Sequence, residues 1–145
     1  MPTILGPKYS TEWRGNPPHM LAPDIPIWYR FLEAWQQHFI TLYYDSLLGG
    51  PLLTYDEEKD RMSRMWRSLT SKRTDAITEL QDELWIIEVA LFPEMRAVGQ
   101  LITYEALWME DPKIDKPVRK VLVAQGIDSD VATGLRAVGI TLHLV

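Results

Sequence analysis

Cysteine is absent from the 145 residues. That excludes disulfides, thiolate zinc sites and a cysteine nucleophile, and it suits a reducing compartment. No run approaches the roughly 18 apolar residues of a membrane span. The opening MPTILGPKYS lacks the apolar core of a signal peptide. Both absences lead to the expectation of a cytoplasmic protein with no membrane partner. No Gly-x-x-x-x-Gly-Lys loop and no Gly-x-Ser-x-Gly elbow occurs, and Gly134 and Gly139 read as local breakers. Histidine is scarce. His19, His38 and His143 lie far apart with no metal-ligand spacing, so each reads as structural. Positive charge is also short: 15 Lys and Arg stand against 20 Asp and Glu, for a net charge of −5. Such a chain repels nucleic acid at long range, so contact with double-stranded DNA needs a local basic patch or bridging cations.

What is present argues for one folded domain. Hydrophobic residues make up 46% of the chain, enough to exclude disorder and to build a single core at this length. Residues 1–24 hold five of the ten prolines and have no periodicity, so they read as an extended arm ahead of a domain over residues 25–145. The arm has two readings. It packs on its own domain, or it lies on a neighbouring subunit with Trp13, His19 and Met20 as contacts, making a homo- or hetero-oligomer. Six tryptophans and six tyrosines supply both core and interface material.

Asp24 is placed to cap a helix over residues 25–38 with Pro26 in its first turn and Ile27, Trp28, Phe31, Leu32 and Trp35 as the buried stripe. Residues 39–48 read as a strand closed by Gly49-Gly50-Pro51. A short helix is expected over residues 59–69, with Met62, Met65, Trp66 and Leu69 on one face. Residues 72–80 and 83–91 form a hairpin across Gln81-Asp82. A helix follows to about Glu110, then a strand over residues 118–125, a helix capped by Asp128 or Ser129 and stopped by Gly139, and a last strand ITLHLV. The short connections of this β-α-β-α-β run predict parallel strands with right-handed crossovers. The fold class is α/β, a mixed sheet flanked by helices.

The chemistry concentrates between Arg73 and Tyr104. The run LWIIEVAL is apolar on both faces, so it reads as a central strand, and Glu88 in its middle is costly unless paired, protonated or bound to a cation. Asp75 on the partner strand meets Glu88 if the register allows. Gln100 and Tyr104 stack one turn apart on the next helix. Two converging carboxylates make a hard oxygen site for Mg²⁺ or Mn²⁺.

Over residues 25–125 this pattern resembles the PD-(D/E)XK nuclease superfamily. Asp75 fits the aspartate that opens that family's second core strand, and Glu88-Val89-Ala90 stands at its Glu-X-Lys. Gln100-Leu-Ile-Thr-Tyr104 matches the Gln-x-x-x-Tyr of RecB-type members. The resemblance implies a restriction-endonuclease-like αβββαβ core with an added C-terminal helix and strand. It implies catalytic roles for Asp75, Glu88, Gln100 and Tyr104, a metal on Asp75 and Glu88, and a contribution from Glu33 on the first helix. Ala90 departs from the family, whose lysine positions or activates the attacking water. Arg73 and Arg96 are the nearby substitutes, and a guanidinium is a poor base.

Three functions are carried forward. One is a catalytically degenerate nuclease-fold protein acting as a structural or DNA-handling part of a larger assembly, virion-associated and similar to bacteriophage head-completion or neck proteins, with no metal needed. Another is an active Mg²⁺-dependent DNA nuclease with a substituted lysine. The third is a non-enzymatic regulatory binding module.

Overall fold

The computed structural model describes residues 2–51 and 53–145. Helix α1 (Ile25–Trp35) is followed by strands β1 (Thr41–Tyr44) and β2 (Leu47–Leu48). Helices α2 (Tyr55–Lys59) and α3 (Arg61–Thr70) lead to β3 (Lys72–Arg73), β4 (Ala76–Glu79) and β5 (Leu84–Ala90). Helix α4 (Met95–Glu110), β6 (Val118–Ala124), α5 (Ser129–Ala137) and β7 (Thr141–Leu144) complete the chain. Five strands form one mixed sheet in the order β1-β4-β5-β6-β7, while β2 and β3 pair separately. The β1–β4 and β4–β5 pairs are antiparallel, and β5–β6 and β6–β7 are parallel.

The apolar run of β5 is central, as its pattern requires, and it is covered on both sides. Trp85, Ile87 and Val89 face α1 through Trp28, Phe31 and Leu32. Leu84 and Ile86 face α4 and α5 through Leu101, Trp108 and Leu135. Strand alternation then directs Glu88 to the α4 side. The hairpin closes over Gln81-Asp82, with the Leu80 N–H donating to the Glu83 carbonyl at 2.8 Å. Asp128 caps α5, its carboxylate accepting from the Asp130 N–H at 2.7 Å, and Gly139 ends it at φ +72°.

Three expectations need correction, and a fourth holds with an addition. The strand over residues 39–48 breaks at Asp45, which takes φ +53° and turns β2 out of the sheet. The strand over residues 72–80 breaks at Thr74 and Asp75, so β3 leaves to pair with β2. The helix expected over residues 59–69 is α3, started by the Asp60 carboxylate accepting from the Ser63 N–H at 3.0 Å, and the short α2 ahead of it was not expected. Asp24 makes no side-chain capping bond to α1.

The arm lies along its own domain. Ile4 and Leu47 exchange both backbone bonds at 2.9 Å, and the Tyr9 N–H donates to the Leu42 carbonyl at 2.8 Å. The Thr3 N–H donates to Asp111 Oδ2 at 3.0 Å. Trp13 packs on Tyr9 and Tyr44 and folds over Gly15, where an added Cβ would come within 2.2 Å of the indole. Met20 belongs to the core around α1, so it is no surface contact. His19 pairs with Asp45.

Candidate metal centre

The site forms where the β4–β5 ladder runs out. The pair Ala76 and Ile87, extended by one residue, sets Asp75 opposite Glu88. The pair Tyr44 and Ala76, extended likewise, sets Asp45 opposite Asp75. Three carboxylates therefore stand in one row across β1, β4 and β5, at the C-terminal end of β5, the end at which open α/β sheets place their ligands. Asp75 and Glu88 replace the missing ladder bonds with side-chain ones. The Val89 N–H donates to Asp75 Oδ2 at 2.8 Å, and the Asp75 N–H donates to Glu88 Oε1 at 3.4 Å. These bonds are the physical reason the strand bends at Asp75.

The pair is electrostatically uncomfortable. Burial is the main cause that pushes the Asp75 carboxyl up to about 6; the charges of Asp24 and Asp45 add to it and the Val89 N–H opposes it. Burial and then the Asp75 charge push Glu88 up to about 9, with Asp24 adding; the Asp75 N–H and, least of all, Arg96 pull it back. Tyr104 reaches the same place: its hydroxyl is raised by burial and then by the charges of Glu88 and Asp75. Gln100, one turn away, lines a groove of about 490 Å³ with Tyr104, Lys72, Arg96, Gly99 and Thr103.

The structure thus brings together Asp75, Glu88, Tyr104 and Arg96, and sets Gln100 in the groove beside Tyr104 and Arg96. It leaves Glu33 apart, exposed on α1 and more than two turns beyond Asp24. Arg73 is engaged by Asp45, at 2.7 Å. Two contributors were not foreseen. Asp24 reads as a cap in the sequence, yet its charge acts on both Asp75 and Glu88, and burial raises its own pKa, opposed by the Leu91 backbone N–H. Asp45 reads as a mid-strand residue, and only the pairing of β1 with β4 brings it to the row. The signal for Asp24 was an acid beside two prolines, Pro23 and Pro26, where the chain turns into α1.

The donor set fits a hard divalent cation. It is all oxygen, and its two carboxylates are held side by side at a cost that a +2 charge would reverse. Among the described residues, no three His, Cys, Asp or Glu side chains form a ready metal cluster. A cation would therefore take Asp75 and Glu88 and fill its remaining positions with water or phosphate oxygens, the usual way Mg²⁺ is held. Compared with protein-family models, curated proteins and solved structures, the chain matches none.

Proposed function

We propose that this chain is a nuclease-fold protein of the PD-(D/E)XK type that binds a divalent cation on Asp75 and Glu88 and handles nucleic-acid phosphodiesters beside it. One observation carries the reading: two carboxylates face each other at the end of a central strand, and among the described residues the cation drawing on Glu88 is the weakly acting Arg96. The sheet order supports it, with two antiparallel pairs followed by a parallel one around β5. So does the groove, where Lys72 and Arg96 stand ready for phosphate and Gln100 and Tyr104 for polar contacts. The bound cation would polarise a phosphate oxygen and neutralise charge as it develops. Ala90 contributes only a methyl group on the same side of β5, so water activation falls to a group outside this strand.

Calorimetric titration with Mn²⁺ tests the reading. The protein should bind about one ion with release of protons, because Glu88 holds one at neutral pH. Asp75→Asn and Glu88→Gln should each weaken binding at least about tenfold, the scale of a lost 1.4 kcal/mol. Unchanged affinity in both variants would sink it.

A second reading, a component of a larger assembly, draws on α3. Its apolar stripe is open: Met62 is 68% exposed, Trp66 53% and Leu69 76%.

A further inference from the structure

We propose that His19, held by Asp45, is the general base of the Asp75–Glu88 site and does the water-activating work that Ala90 cannot. This deepens the cation-dependent reading above and rests on it.

The geometry comes from three independent places. First, His19 and Asp45 are the two non-glycine residues, among those described, with positive φ, at +62° and +53°. Left-handed backbone at such residues clusters at functional sites. These two are also partners: His19 Nδ1 lies 2.7 Å from Asp45 Oδ2. Second, Asp45 is the outer member of the row Asp45–Asp75–Glu88, and its charge is felt at Asp75. Third, the chain just after His19 is anchored and leads to a residue whose charge reaches the site. Met20 is buried in the core, and Asp24, four residues on, acts on both Asp75 and Glu88.

The chemistry follows from the hydrogen bond. A neutral imidazole donating Nδ1–H to Asp45 has Nε2 free as an acceptor. The His19 side chain is 64% exposed, so water reaches that nitrogen. Arg73 lies on the same Asp45 Oδ2 at 2.7 Å and fixes the carboxylate that orients the ring. Asp45 is thus a positioning residue. In hydrolysis, Nε2 of His19 takes a proton from water, and the water oxygen uses its electron pair to form the new bond to phosphorus. The bond from phosphorus to the leaving nucleotide oxygen breaks. That oxygen keeps the electron pair and takes a proton from solvent, and His19 later returns its own proton to solvent.

Nicking of supercoiled plasmid in Mn²⁺ provides the test, with Mn²⁺ affinity and urea unfolding measured on every variant. The full chain should nick, and Asp75→Asn should abolish nicking. His19→Ala should lower the rate by about 10²-fold or more while Mn²⁺ affinity and the unfolding midpoint stay unchanged. Added imidazole should restore part of the rate in His19→Ala and none in Asp75→Asn. Asp45→Asn should slow the full chain yet have little further effect in the His19→Ala background. If His19→Ala does not fold, His19→Gln, which keeps a donor toward Asp45, is judged by the same criteria. Undiminished nicking in the folded His19 variant overturns the proposal and leaves the cation site standing. A chain that binds Mn²⁺ but does not nick overturns it as well. No Mn²⁺ binding by the unmodified chain overturns the cation reading and the proposal with it.

Discussion

Glu88 stands between Ile87 and Val89, both buried, on the central strand β5. Its carboxyl moves from 4.5 to about 9 on folding, and Asp75 moves in the same direction. Below pH 4.5 the acid is protonated in both states and nothing is lost. As pH rises, the unfolded chain releases the proton while the folded chain keeps it, so stability falls until about pH 9. Urea unfolding of the metal-free protein should therefore show stability declining across that window. Glu88→Gln should remove most of the slope and raise stability at pH 8 by about 1 kcal/mol or more, since its amide oxygen can still accept the Asp75 N–H. A variant less stable than the parent would mean Glu88 serves a structural ion pair instead. Asp75, Glu88 and Tyr104 were legible in the sequence because strand alternation, a two-residue hairpin loop and an i, i+4 helix spacing are local rules. Asp24 and Asp45 were not, because their relation to the pair depends on tertiary contacts.

At the scale of elements, the strongly patterned pieces behaved as patterned: β5 is central, and β5-α4-β6-α5-β7 winds in parallel. The breaks at Asp45 and Asp75 were illegible because no propensity encodes them. They are set by carboxylates bonding to Arg73, to His19 and to the Val89 N–H across distant parts of the chain. Helix α3 shows another limit of pattern. The spacing of Met62, Met65, Trp66 and Leu69 calls for a helix with an apolar face, but says nothing of what covers it. In the single chain nothing deep does. Met62→Gln and Leu69→Gln should each change unfolding free energy by less than about 0.5 kcal/mol, whereas Phe31→Ala in the core should cost about 3–5 kcal/mol. Sedimentation of the same surface variants reads the assembly role: if α3 is an interface, they dissociate a complex that the parent forms. A large stability loss in either surface variant would show the stripe to be core.

For the molecule as a whole, the arm behaves as an added edge rather than a tether. It covers β1 and β2 by backbone bonds and reaches Asp111 at the end of α4. Deleting residues 2–8 removes the bonds of Thr3 and Ile4 and the one Ser46 makes to the Leu5 carbonyl. It should lower stability by about 2–4 kcal/mol and leave a folded domain by circular dichroism; no loss in a urea titration would mean the arm is not held as described.

The contact between Thr3 and Asp111 spans 108 residues. At a translation rate of about 5–20 residues per second, the arm exists for roughly 5–20 s before its far anchor has been made. During synthesis the partners of Ile4 and Tyr9 at Leu47 and Leu42 are made long before that anchor. The tip of the arm at Thr3 thus stays loose until the end of α4 has been made, while the rest of the arm can already be seated.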